Sequence, residues 1–160
     1  MSAPRPLIVV SDVHLSHGGS RATASALSRL IREHAGHEVV LSGDVFNLSC
    51  DEAGRDPTES VLDMLRPHDE LRQALRQHLV LGSPVTFLAG NHDAAIMRAE
   101  LRPALLSWLE LDLAAPFSNL PWFIRRGGVH IEHGHVYDPD NAPSHPLWYG
   151  GPETEPLGVA

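Results

Sequence analysis

The chain has no lysine and a single cysteine, Cys50, among its 160 residues. One cysteine excludes an internal disulfide and a structural zinc held by thiolates, and the reading is of an intracellular, cytoplasmic chain. No apolar run is long enough to span a bilayer. The short run after Met1-Ser2-Ala3-Pro4-Arg5-Pro6 is not a signal-peptide core, because it leads at once into Ser11-Asp12. Positive charge is scarce: twelve basic residues, all Arg, face twenty acidic ones, for a formal net charge of −8. That balance excludes a general nucleic-acid binder with a basic face. An anionic substrate stays open, because bound divalent cations would offset negative charge locally. The all-arginine usage fits Ala/Arg/Pro-biased coding better than any functional demand. The apolar share and mixed charges suit one globular domain able to bury a core. Histidine, by contrast, is abundant at eleven residues.

Hydrophobic periodicity orders the rest. Residues 7–10 form a continuous aliphatic run, as expected of a strand buried on both faces. A helix is expected over 21–34, with Ser20 as its cap and Ala24, Leu27, Leu30, Ile31 and His34 on one stripe, ended by Gly36. Residues 38–41 form the second strand, which makes a strand–helix–strand unit and argues a parallel pair. Asp56-Pro57-Thr58-Glu59 is a helix start, and Pro67 interrupts that helix. Leu71, Leu75 and Leu79 mark another helix, closed by Gly82. Residues 85–88 are the third strand, 94–101 and 103–111 are expected to be helical, and 122–132 to be a hairpin turning at Gly127-Gly128. From Asp138 to the end, five prolines and three glycines leave no core element. The expected division is a domain over 1–138 and a Pro/Gly-rich tail over 139–160.

Polar clusters close four of the apolar runs: Asp12-Val13-His14, Gly43-Asp44, Gly90-Asn91-His92-Asp93 and His133-Gly134-His135. In a pleated segment Asp12 and His14 share a face, and a carboxylate with an imidazole suits Mn, Fe, Zn, Co or Ni. Asp44 carries a carboxylate able to bridge two cations. Asn91 offers a neutral oxygen, His92 a proton-transfer group, and Asp93 a partner to orient it. Each cluster alone reads as an ordinary turn or cap. His130 and Glu132 read as exposed strand surface, and His135 as loop, substrate-facing or supporting. Order and placement carry the signal, since ligand sites of open α/β sheets lie at the carboxyl ends of strands.

In that order the clusters resemble those of the calcineurin-like metallophosphoesterase superfamily: Asp-x-His, Gly-Asp, Gly-Asn-His-Asp/Glu, then a lone His after a strand, over roughly residues 7–138. Their wording is most similar to the branch containing UDP-2,3-diacylglucosamine pyrophosphatases. The resemblance implies an α/β fold, an αββα sandwich with two packed sheets. It implies two divalent metal ions, Mn or Fe first and Zn as the alternative. Asp12 and His14 would hold one ion, Asp44 both, and Asn91 and His133 the other. His92, backed by Asp93, would be catalytic, protonating the leaving group or stabilising the transition state. The implied reaction is hydrolysis of a phosphoester or pyrophosphate bond by a metal-bridged hydroxide. Its substrate would be a phosphorylated small molecule or nucleotide-type compound, with no strong nucleic-acid signal.

The family's closing Gly-His-x-His is absent: Gly134-His135-Val136-Tyr137 ends in Tyr, and five of the seven usual protein ligands are present. His145 is a weak stand-in. The expectation is a chain that stops short of the family's full domain at its C-terminus, as a fragment or truncated frame. The alternative is a degenerate binding module with little or no catalysis. Residues 51–82 read as structural helices in preference to a substrate-selecting cap. Arg21, Arg125 and Arg126 read as surface charges in preference to phosphate ligands.

Overall fold

A computed structural model of the protein describes residues 5–51 and 54–142. Strands β1 (Leu7–Val10), β2 (Glu38–Ser42), β3 (Val85–Leu88) and β4 (Phe117–Leu120) form one sheet in the order β1-β2-β3-β4, with every neighbouring pair parallel. Parallel neighbours require crossovers, and helices supply them. They are α1 (Arg21–Glu33) between β1 and β2, α2 (Pro57–Leu65) and α3 (Asp69–Val80) between β2 and β3, and α4 (Leu101–Trp108) before β4. Strands β5 (Phe123–Arg126) and β6 (Val129–Glu132) pair antiparallel as a separate two-stranded sheet.

The two faces of the parallel sheet follow from strand periodicity. Val39, Leu41, Val85, Phe87 and Phe117 pack into the main core with Leu27, Ile31, Met64, Leu71, Leu75 and Leu105 of the helices. Their strand neighbours Val40 and Leu88 point the other way and meet Ile124 and Ile131 of the hairpin. Glu38, on that same face, accepts a 2.6 Å ion-paired hydrogen bond from Arg126 of β5. Helix, sheet and second sheet are therefore three successive layers of the expected α–β–β–α order among the described residues. Residues 51–82 are indeed mostly structural: the apolar stripes of α2 and α3 lie in the main core.

Several local expectations need correction. Ser20 does not cap α1. It sits at φ 71, outside the cap conformation, and its hydroxyl bonds the His14 carbonyl and the Ser16 N–H instead, closing the loop between them. α1 ends at Glu33, with His34 as its C-cap. Residues 94–111 are not two long helices but a 3₁₀ turn, Ala94–Met97, and α4. Arg98 turns extended between them, and Pro103 falls in the first turn of α4, where its missing N–H costs nothing but a helix running in from before would be blocked. β4 has no strand signature of its own, because Phe117-Ser118-Asn119-Leu120 is short, half polar and bounded by Pro116 and Pro121. Its pairing to β3, not its own pattern, makes it a strand. The α2 start is as expected: Asp56 accepts from the Thr58 and Glu59 N–H groups, with Pro57 in the first turn.

Only a few apolar side chains join the hairpin to the sheet, so each matters. Ile124→Ala is expected to cost about 2–4 kcal/mol. The loss should appear in denaturant unfolding, with the amides of β5 and β6 losing hydrogen-exchange protection first.

Candidate metal centre

The loops leaving β1 and β2 run side by side beyond the sheet. The N–H groups of Asp12, His14 and Leu15 donate to the carbonyls of Gly43, Asp44 and Val45 at 3.2, 2.9 and 2.9 Å. Asp12, His14, Gly43 and Asp44 all take left-handed backbone, with φ of 56, 48, 82 and 54°. The three non-glycine positions each carry a steric cost on the order of 1 kcal/mol. Their side chains converge as a result, while Val13 between Asp12 and His14 turns into the core. Asp12 and His14 thus meet through kinked loop backbone and not through the pleated alternation expected of an extended segment.

Asp12, His14 and Asp44 offer one ligand atom each, all within 4.8 Å of one another. Asp44 is buried, and its Oδ2 lies 3.8 Å from His14 Nε2 on one side and 3.3 Å from His133 Nε2 on the other. His133 follows β6, and its Nδ1–H donates to the Ser42 carbonyl at 2.9 Å, which turns Nε2 toward Asp44 and Asn91. Asn91 donates from its amide nitrogen to Asn141 Oδ1 at 3.2 Å, so its Oδ1 faces His133, at 3.3 Å. Asp12 is the open side of the cluster, with 58% of its side chain exposed.

Two glycines make this convergence sterically feasible. A Cβ on Gly90 would stand 2.0 Å from Asp44 Oδ1, and one on Gly43 would stand 2.3 Å from the His133 ring. Their place in the motifs is therefore a matter of space for the neighbouring ligand as well as of turning.

Asp93 does not stand behind His92. Its carboxylate is fully buried and accepts four backbone N–H groups: Gly90 at 2.7 Å and Asp44 at 3.2 Å on Oδ1, Val45 at 2.7 Å and Phe46 at 3.2 Å on Oδ2. Those bonds tie the β2 and β3 loops together and leave the His92 ring to another partner. His92 Nδ1 lies 2.8 Å from Ser49 Oγ, and Ser49 donates to Asn47 Oδ1 at 2.7 Å. The His92 N–H donates to Asp44 Oδ1 at 3.0 Å, and its ring meets the His14 ring edge-on at 5.1 Å.

The remaining candidates sort by position. His135 is buried with its ring 5.3 Å from that of His133. His130 lies on the exposed side of β6, stacked on Phe123 and 3.2 Å from Glu132, as expected of strand surface. His145 lies outside the described residues. Ser49, Asn47 and Asn141 were not foreseen. Short polar residues in loops carry no periodicity, and only the fold brings them to the cluster.

The electrostatics match the geometry. Burial raises the Asp44 carboxyl, but the His133 hydrogen bond, the His92 N–H and nearby imidazole charge outweigh it and hold the group below its ordinary value. Burial lowers His133, while the Asp44 hydrogen bond and charge raise it more. Burial pushes Asp93 up to about 6, against the pull of its N–H donors and with the Asp44 charge adding to it, so at neutral pH it is still a carboxylate. Burial and the His133 charge lower His135 to about 4, and it is neutral there.

The donor set fits divalent cations. It has two carboxylates, one amide oxygen and two imidazoles, gathered at the carboxyl ends of the parallel strands β1, β2 and β3 and of β6 in the hairpin. Such a set on such a sheet is a candidate metal-binding group on an α/β fold. The family model of the calcineurin-like phosphoesterases matches residues 5–155, and the chain belongs to that family. No curated protein matches it.

Gly90→Ala is expected to push Asp44 out of place and weaken Mn²⁺ binding by at least about tenfold, read by titration calorimetry; unchanged affinity would mean the two loops yield without effect on the cluster. Metal uptake should also depend on pH. Below its raised value His133 carries a proton on the ligating ring, which a cation must displace, so affinity should fall about tenfold per pH unit as pH drops through that value and level off above it. Calorimetry in buffers of different ionisation enthalpy would count the released proton.

Proposed function

We propose that the protein hydrolyses a phosphoester or pyrophosphate bond using two divalent cations. The observation that carries this is the position of Asp44 Oδ2 between His14 and His133, a single carboxylate facing two separate sets of donors. Asp12, His14 and Asp44 would hold one cation, and Asp44, Asn91 and His133 the other. Mn or Fe suits these oxygen and nitrogen donors, with Zn as the alternative. Such cations supply Lewis-acid polarisation of the phosphoryl group and lower the pKa of water to near 7.

The chain's own residues do the rest. Asp44 is kept ionised, against its burial, by the His133 hydrogen bond and the His92 N–H, and the same contacts hold it in place. The Asn91 amide is turned by Asn141 so that oxygen, not nitrogen, faces the cluster. His92 holds or delivers a proton at Nε2, the ring nitrogen not bonded to Ser49, and hands it to the departing oxygen. Asp93 supports this indirectly, by locking the loops that carry Asp44 and His92. The exposed edge at Asp12 is the side from which substrate enters. A phosphorylated small molecule or nucleotide-type substrate suits the acidic chain better than a long nucleic acid. The wording of the motifs supports a pyrophosphatase of the UDP-sugar-lipid kind within that class.

Two variants test the assignment on a generic phosphodiester with Mn²⁺ added. Asp44→Asn should lose bound metal and turnover together, because one carboxylate serves both positions. His92→Ala should retain metal and lose about 10²–10⁴-fold in kcat. Metal content measured on the same preparations separates the two roles, and an empty His92→Ala site would reassign His92 as a ligand.

A further inference from the structure

The geometry points to Ser49, steered by Asn47, as the positioning residue that sets the tautomer of His92. The inference rests on the role of His92 proposed above, and it assigns that ring a partner which the motif string does not contain.

A serine hydroxyl has one hydrogen. Ser49 gives it to Asn47 Oδ1 at 2.7 Å, so toward His92 Nδ1, at 2.8 Å, the same oxygen can only accept. Nδ1 must then carry the ring hydrogen, and Nε2 is left as the nitrogen that exchanges protons at the cluster. Asp93, the adjacent carboxylate, is unable to do this because its oxygens are engaged by four backbone N–H groups. The support for Ser49 is itself rigid. The 3₁₀ turn Leu48–Cys50 that carries it donates from the Leu48 N–H to the His92 carbonyl at 3.2 Å, and the Asn47 N–H donates to the Leu15 carbonyl at 2.9 Å. His92 is thereby held at three points: its N–H on Asp44, its carbonyl on Leu48, its ring on Ser49. A hydroxyl partner also orients the imidazole without adding a further negative charge beside Asp44.

The test reads ring-nitrogen chemical shifts of metal-free, ¹⁵N-labelled protein by NMR over a pH series, on the alkaline plateau where the signals no longer move. The wild-type chain should show His92 protonated on Nδ1. Ser49→Ala should move it to a mixture weighted toward Nε2–H, and Asn47→Ala should do the same in part, because the freed hydroxyl is then able to donate to Nδ1. Ser49→Thr, which keeps the hydroxyl, should restore the wild-type signals. In turnover of a phosphodiester with Mn²⁺, Ser49→Ala should lower kcat by roughly tenfold with KM and metal content unchanged, and Ser49→Thr should recover it. A wild-type ring protonated on Nε2, or ring signals that ignore Ser49→Ala in a protein whose amide spectrum shows it folded, would overturn the assignment. A wild-type chain inactive with every divalent metal would overturn the phosphoesterase reading instead, and the ring signals would still decide the place of Ser49.

Discussion

Everything at the cluster depends on one buried carboxylate whose oxygens are taken up by backbone N–H groups. Asp93 gathers four backbone N–H groups from two loops that leave neighbouring strands, and so sets the distance between them. The loops need such a clamp because they are not regular structure. Beyond the end of the sheet the ladder no longer satisfies their amides, and a buried unpaired N–H costs about 1–3 kcal/mol. A carboxylate with two oxygens and several lone pairs is the compact way to satisfy them at once. Its burial is tolerated because those same amides stabilise the charge, even though desolvation raises its pKa to about 6.

The clamp also stabilises a strained geometry. Asp12, His14 and Asp44 sit in left-handed backbone, which L-residues adopt at a cost. That conformation turns three side chains to one point, and the parallel run of hydrogen bonds from residues 12–15 to 43–45 keeps it from relaxing. Below it, the main core holds the sheet level: Leu15 and Phe46, the residues just past the two kinks, are fully buried and bridge to each other. Strain at the rim is thus anchored on packing immediately underneath.

Much of this was readable along the chain. The apolar runs at 7–10, 38–41 and 85–88, the Pro57 helix start and the Gly127-Gly128 hairpin all express local rules, and they stand where those rules put them; the burial expected of 7–10 on both faces does not hold, because β1 is the first strand of the sheet order, with one neighbour, and Val9 is 47% exposed. The grouping of Asp12, His14, Asp44 and Asn91 also followed, since they close β1, β2 and β3 and parallel strands end on one side; His133 closes β6 of the antiparallel hairpin, and only the packing of that second sheet brings it to the same end. What failed were inferences from adjacency. Ser20 precedes a helix without capping it, and Asp93 follows His92 without bonding its ring. β4 was passed over because its two apolar residues make no pattern without β3 beside them.

Residue type and order along the chain, then, already stated which atoms were on offer: oxygen and nitrogen donors, no thiolate set, each at the end of an apolar run. Those are properties of short segments, and short-range physics writes them into the string. Which donor meets which acceptor was left to the folded chain. Ser49 reaches a ring 43 positions away, Asn141 turns an amide 50 positions away, and Asp93 serves backbone rather than its neighbour. A hydrogen bond is settled by a distance of about 3 Å in space, and separation along the chain carries no measure of that distance until the sheet and its loops are in place.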